Sequence, residues 1–520
     1  MLLVACSPVE PQSTATSVAG ELARGNGSEP DSLDPQLARM DSALTILRDA
    51  YEGLTSIAPD GGVAPGVAAS WSASDGGLGY RFELRPEARW SNGDPVVAAD
   101  FVAAWRRLVD PATASQYAQL IESVGNAEQI IAGELPPDSL AVEAQGDNVL
   151  LVRLERPTAY FPALLSHPST FPVHRPTLAA HGSAFARPGT AVTNGAYVPV
   201  EWQVGAFVRA ARNRHYRDDA GTAIDAVRYH HVSDMGAELT RYRAGELDVT
   251  YSLPPGQLAR LPAALAGQLH VGPQLGVYYY GLALDRAPFA GNPALRRSLA
   301  MAIDRELLAR KVLGDGEIPA FGWVPPGVDG HVPQRFEWAD WPAERRMAEA
   351  RRLYAEAGFS AANPAAFELS YNKSPLHDRI ALVVAAMWKQ GLGARVTLRA
   401  EEFRVLKQTI DARQVQAFRG SWIADYNDAY SFLQVLRGGF GINLPRYSSL
   451  RYDSLLDEAA IAGTAGRQAL LAEAERELLT DVPLVPLYFY VSKHLVAPRV
   501  RGWYDNVMNV TYSKDLSLAG

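Results

Sequence analysis

Runs with a two-residue apolar period alternate with runs of helical period along this chain, and no long linker separates them. Tyr80-Arg81-Phe82-Glu83-Leu84-Arg85 and Leu150-Leu151-Val152-Arg153-Leu154-Glu155 place apolar side chains on one face, the pattern of half-buried strands. Asn292-Pro293 offers a cap residue and a proline at the first helical position, and Leu295, Leu299, Ala302 and Ile303 then follow on one face. The spacing predicts further helices over 345–357, closed by Gly358, over 378–389, closed by Gly391, and over 469–479. Such alternation without an internal repeat predicts a mixed α/β fold. The chain has 520 residues, too many for one core, so two or three lobes are expected. Its turn-rich breaks (Pro59-Asp60-Gly61-Gly62, His181-Gly182-Ser183, Pro254-Pro255-Gly256, Pro325-Pro326-Gly327) are short. Lobes joined by short crossings suit hinged closure.

The net charge of −8 argues against a nucleic-acid surface, which is normally basic. No apolar run reaches the ~18 residues that a membrane-spanning helix needs. Cys6 is the only cysteine, so no intramolecular disulfide can form. Leu3-Val4-Ala5-Cys6 has the pattern of a bacterial lipobox, which predicts an acylated Cys6. Residues up to 19, rich in Ser, Pro, Thr, Gln and Ala, would be a flexible tether holding the remainder at a membrane surface.

No P-loop, His-Glu-x-x-His, Gly-x-Ser-x-Gly or Cys-x-x-Cys occurs. Asp425-Tyr426-Asn427 begins like a calcium loop, but Tyr430 stands where such a loop needs glycine and Leu436 where it needs a bidentate acid. His230 and His231 point to opposite faces if they lie in a strand, which is poor metal geometry. Glu401-Glu402 could form a hydrolytic dyad, and equally a solvated strand end. The expectation is no enzyme, no cofactor and no metal.

Gly420-Ser421-Trp422-Ile423-Ala424-Asp425-Tyr426-Asn427-Asp428 reads as an extended apolar run ending on an acid, with Arg419 six residues before Asp425. A strand edge offers free N–H and C=O groups, a carboxylate holds an ammonium, and an arginine holds a carboxylate. Those are the parts of a site for a free peptide. They are also the parts of an ordinary core strand followed by a turn.

Gly27-Ser28-Glu29-Pro30-Asp31-Ser32-Leu33-Asp34-Pro35 resembles the opening motif of the periplasmic oligopeptide-binding proteins, the extracytoplasmic solute-binding family 5 of ABC importers. Tyr51-Glu52-Gly53-Leu54, Pro65-Gly66-Val67-Ala68, Trp90-Ser91-Asn92-Gly93-Asp94-Pro95-Val96, Asp100-Phe101-Val102, Thr193-Asn194-Gly195-Ala196-Tyr197, Tyr242 to Asp248, Ala302-Ile303-Asp304-Arg305, Trp422 to Phe432 and Pro483 to Tyr488 follow in the family's order. The resemblance covers residues 22–516. It implies a three-lobed periplasmic binding protein fold in which two α/β lobes close over a buried cleft. Lobe I would hold residues 20–52, 183–281 and 492–520, lobe II residues 53–182, and lobe III residues 282–491.

By the same resemblance Asp425 pairs with a peptide's ammonium, and Gly420, Ser421 and Trp422 form the strand that pairs with its backbone. Arg419, Arg413 and His377 match cations that take the C-terminal carboxylate, with Lys311 as a further one. Asn372 and Tyr117 match positions lining the cleft. Ile423 stands where family members carry cysteine, the loop between Arg413 and Arg419 is shorter, and no acid stands at Ala43, near where the family often has one. An extended peptide advances ~3.3 Å per residue, so cations at several distances would accept tri-, tetra- and longer peptides in turn. The implied function is a monomeric receptor that captures short peptides and delivers them to an ABC permease. The alternatives are the same fold holding a murein peptide or a metal chelate, or else a periplasmic hydrolase or holdase.

Overall fold

The computed structural model describes residues 20–439 and 442–519. Cys6 and its tether lie outside them. Three larger sheets carry the architecture. In the first, Glu21–Gly25 runs parallel to Ala226–His230, and Phe207–Arg212 and Tyr197–Gln203 continue antiparallel. The second is fully antiparallel, in the order Ala68–Ser74, Gly79–Leu84, Val149–Arg153, Val142–Gln145. Its alternation is the one expected: Tyr80, Phe82 and Leu84 are buried, as are Leu150 and Val152. The third has six strands, in the order Ile318–Pro319, Leu484–Leu495, Leu269–Leu282, Ala417–Ile423, Ala366–Asn372, Arg395–Glu401.

Two of these strands are long. Leu269–Leu282 pairs antiparallel with Leu484–Leu495, from Leu269↔Leu495 to Gly281↔Leu484. One end of the ribbon packs with Leu239, Tyr242 and Leu253, the other in the core of the six-stranded sheet. The ladder lapses between Pro273 and Val277, since proline has no N–H to give.

The helices form where capping and periodicity place them. Asn292 caps Pro293–Met301 by accepting from the Leu295 N–H at 3.1 Å. The helices expected over 345–357 and 469–479 occupy Ala343–Glu356 and Thr464–Asp481. The expected stop at Gly391 needs correction. The helix runs from Pro375 to Leu392 and closes on Gly393 at φ 77°. Gly391 lies inside it, where a Cβ would come 3.1 Å from the Met347 sulfur, so that glycine serves packing.

The motifs that carry the family resemblance are mostly framework. Asn194 accepts from the Glu52 N–H at 3.1 Å and donates to the Glu52 carbonyl at 2.8 Å. Gly195 packs so close to Ala50 and Tyr51 that a Cβ would fall 2.6 Å from their backbone. Asp100 collects Trp90 Nε1, the Val97 N–H and Arg175. Arg305, 1 % exposed, donates through Nε to the Pro486 carbonyl and through Nη1 to the Ala300 carbonyl.

A buried carboxylate supports the strand at 417–423 from behind. Glu475, fully buried, accepts from the N–H groups of Trp323, Val324 and Gln334 and faces His331 Nε2 at 2.8 Å. Trp323 in turn meets the Tyr279 ring edge-on at 5.1 Å, and Tyr279 pairs directly with Gly420. Glu475→Ala leaves these donors without an acceptor and is expected to cost roughly 3–5 kcal/mol, read from chemical denaturation.

Candidate functional site

The strand Ala417–Ile423 is paired along its whole length on one side only. There it runs antiparallel to Leu269–Leu282, from Leu282↔Ala417 to Gly276↔Ile423. On the other side Ala366–Asn372 pairs with it only at Leu369↔Ala417 and Ser370↔Phe418. The flanking bonds Ala283 N–H to Gln416 O (2.8 Å) and Ala424 N–H to Leu275 O (2.9 Å) set the parity of the ladder. Even-numbered residues face the long strand, and Ser421 and Ile423 turn their N–H and C=O groups to the open side. Gly420 is fixed by close approach, because a Cβ there would lie 2.3 Å from the Tyr279 ring.

The run after the strand has its side chains engaged, with one exception. Tyr426 stacks on Tyr160 at 4.9 Å with rings 6° apart. Asn427 donates to the Gly61 carbonyl at 2.9 Å and accepts from the Asp329 N–H at 2.9 Å. Asp428 takes both arms of Arg467, at 2.8 and 2.9 Å. Asp425 has no hydrogen bond or ion pair among the described residues. Its carboxyl keeps some exposed area but is ringed by protein. Burial, aided by the negative charge of Asp41, pushes its pKa up to about 6.

Beside Asp425 lies a cavity of ≈ 680 Å³ between residues of 116–164 and residues of 422–442. Trp422, Tyr117, Tyr160 and Tyr426 give it aromatic walls, and Gln119 and Arg156 line it as well. Arg156 is held by Glu122 at 2.5 Å and Glu128 at 2.9 Å. Tyr117 leans on His167 at 4.4 Å; burial and then the charge of Asp425 raise its hydroxyl to about 12. A hollow of ≈ 770 Å³ elsewhere, between Ser72 and Arg153, contains none of these groups.

At the other end of the open edge, Arg419 lies 4.8 Å over the Tyr278 ring and reaches Asn372 Oδ1 at 3.4 Å and the Tyr490 hydroxyl at 3.3 Å. No carboxylate pairs with it among the described residues, and its buried Nε has no partner. His377 touches the Tyr278 hydroxyl through Nδ1 at 3.2 Å. Burial, then the charge of Arg419, holds the His377 pKa down to about 4. Without a ligand, burial and Arg419 thus favour the neutral imidazole of His377 near neutral pH.

Arg413 and Lys311 stand apart from this cluster. Arg413 is exposed, at φ 57°, on the turn after the helix Phe403–Asp411. Lys311 is exposed on the π-helix Leu308–Leu313. Neither lines the cavity beside Asp425. The sequence reading missed Asp41, two residues from the Ala43 position, which opens the helix Asp41–Ala50 and acts on Asp425 through space. It also missed Tyr160, Glu122 and Arg156. None of these carries a local sequence signal; only the packing brings them to Asp425.

The family model described as bacterial extracellular solute-binding proteins, family 5 Middle, matches residues 62–443. The chain belongs to this family. The periplasmic oligopeptide-binding protein OppA of Salmonella typhimurium is 38% identical over 486 residues, covering 93% of this chain and 89% of that one. Among solved structures, the unliganded open form of the periplasmic murein tripeptide-binding protein MppA superposes with a TM-score of 0.86 at 34% identity, covering 98% of this chain and 99% of that one. Haemophilus influenzae OppA in complex with RPPGFSPFR gives 0.79 at 34% identity, with 96% and 99% covered. This family-5 protein thus has a multi-lobed periplasmic binding protein fold.

The raised pKa of Asp425 has a sign that can be read. The folded family-5 protein holds a proton there up to about pH 6, and the unfolded chain releases it near 3.8. This group therefore lowers stability as pH rises from about 4 to 6, and the loss is complete above that window. Asp425→Asn should unfold at a higher temperature than the wild type at pH 7, and the gap should close at pH 4, as followed by thermal melts without ligand.

Proposed function

We propose that this family-5 protein is a receptor for short peptides, bound extended along the open edge of the strand Ala417–Ile423. The observation that carries the reading is the pair of unmatched charges at the two ends of that edge. Asp425 lacks a cation and Arg419 lacks an anion among the described residues. A peptide's ammonium supplies the first and its carboxylate the second. Ser421 and Ile423 offer their backbone groups between them, and backbone pairing ignores side-chain identity. Trp422 and Tyr117 line the cavity beside Asp425 and give contact area without demanding one shape. Water in so wide a cavity adapts to whatever side chain enters.

The same reading extends to delivery. The lobes 20–52, 183–281 and 492–520 would close on 282–491 about the ribbon of Leu269–Leu282 and Leu484–Leu495, with 53–182 completing the cleft. The closed form would be favoured only as far as the ligand touches both sides. A monomer in this form would hand its peptide to an ABC permease without altering it chemically. An acylated Cys6 would keep it at the membrane, which the intact mass of the mature protein would reveal. A murein peptide, the ligand named for MppA, also carries an ammonium and carboxylates and is the second reading.

Asp425→Ala is expected to weaken tripeptide binding by roughly 2–5 kcal/mol in calorimetry, since it leaves an ammonium in the cleft without its partner. An unchanged affinity would exclude Asp425 as the ammonium site. Binding should also depend on pH. The ammonium needs the ionised carboxylate, so affinity should rise with pH up to about 6, the free value of Asp425, and level off above it.

A further inference from the structure

We infer that Asp315 is a clasp across the hinge, which holds the lobes of the free protein apart and lets go when they close. This deepens the peptide-receptor reading and rests on its closure about the ribbon of Leu269–Leu282 and Leu484–Leu495.

The ribbon has one weak point. Its ladder is regular from Leu269↔Leu495 to Pro273↔Val491, lapses, and resumes at Val277↔Phe489. A few unpaired residues are what absorbs the backbone change of a hinge, so the lapse is the pivot. On one side of it, Leu269 and Leu495 pack with Leu239, Tyr242 and Leu253. On the other, Tyr278, Tyr280, Leu487 and Tyr488 belong to the core of the six-stranded sheet.

A third segment runs past the pivot. Ile318–Pro319 pairs with Phe489 and Tyr488, on the side of the six-stranded core. The residues just before it reach the other side. A Cβ on Gly316 would come 3.2 Å from Val271 Cγ1, and Glu317 accepts from Lys493 Nζ at 2.6 Å. Val271 and Lys493 are cross-strand partners ahead of the lapse. Asp315, 2 % exposed, reaches furthest. Its two carboxylate oxygens accept from the N–H groups of Gly256 and Leu258, and Lys493 Nζ lies 3.8 Å away. Leu258 packs against the cluster of Leu239 and Tyr242. One short piece of chain is thus anchored on both sides of the pivot, and one of its anchors is a buried carboxylate.

A turn about the lapse moves the two anchors apart or askew, and the two residues between Asp315 and Ile318 give little slack. Bonds to a charged acceptor are the stronger ones, so the clasp favours the arrangement in which it is made. That arrangement is the open one. The chain superposes with a TM-score of 0.86 on the unliganded open form of MppA and 0.79 on the peptide complex of OppA, both at 34% identity. Neither Asp315 nor its partners line the cavity beside Asp425. The clasp therefore acts on affinity only through the share of molecules able to close.

Two measurements on the full chain test this. Residues 254–258 carry backbone N–H groups only at 256–258, because 254 and 255 are prolines. Hydrogen exchange of that segment, read by mass spectrometry, should quicken about tenfold for two of its three hydrogens when saturating tri-alanine is added to the wild type. Protection that is unchanged by the ligand overturns the clasp. Asp315→Asn keeps the size of the side chain but leaves one acceptor oxygen where two are used. In calorimetry it should bind tri-alanine about three- to tenfold more tightly than the wild type. An affinity equal to or below that of the wild type overturns the clasp and leaves the receptor reading standing. Failure of tri- to hexa-alanine to bind the wild type overturns the receptor reading and the clasp with it. The exchange measurement needs no substitution, so it decides the matter even where Asp315→Asn does not fold.

Discussion

An unpaired carboxylate held among protein atoms is the constraint on which the site depends. Taking Asp425 out of water without a cation costs free energy, which is why its pKa is raised to about 6. Such a group persists only where the surroundings leave it no alternative. Tyr426, Asn427 and Asp428 are each anchored to a different part of the chain, at Tyr160, Gly61 and Arg467. With three consecutive neighbours fixed, the backbone at 425 has little freedom to carry its side chain farther into solvent. In the proposed receptor, the stability given up there would return as affinity when a ligand's ammonium arrives.

The opposite end follows the same logic with the sign reversed. Arg419 spreads its charge over the Tyr278 ring and neutral oxygens, not over an acid among the described residues. His377, kept neutral by burial and by Arg419, adds a polar group without adding repulsion. Between the two ends the strand has one edge saturated and one edge free, so main-chain pairing with a ligand displaces no internal bond. Gly420 permits this because its missing side chain lets Tyr279 lie against the strand.

Much of the frame was legible in the sequence. Period-two runs at 80–85 and 150–155, the Asn292-Pro293 cap and the family segments from Gly27 to Tyr488 all mark local or framework interactions. Their partners, such as Asn194 with Glu52 or Trp90 with Asp100, are polar side-chain groups gripping backbone or one another. Asp425 and Arg419 were legible as charges at the ends of an extended run. Gly391 misled, because a glycine needed for packing against Met347 looks in sequence like one needed to end a helix.

The sequence by itself determined the alternation of strands and helices, the lack within it of an apolar run of the ~18 residues a membrane-spanning helix needs, and the presence of an acid and a base six residues apart on an extended segment. Those properties depend on spacing along the chain, which a sequence records directly. Tertiary structure alone decided that Ala366–Asn372 leaves the strand after Phe418, so that an edge is open. It also decided that Asp425 is left unpaired among the described residues while Asp428 is not, that the charge of Asp41 is felt at Asp425, and that burial disfavours the charged form of His377. Each of these is set by what approaches from distant parts of the chain, because charge state and exposure are properties of surroundings and not of residues.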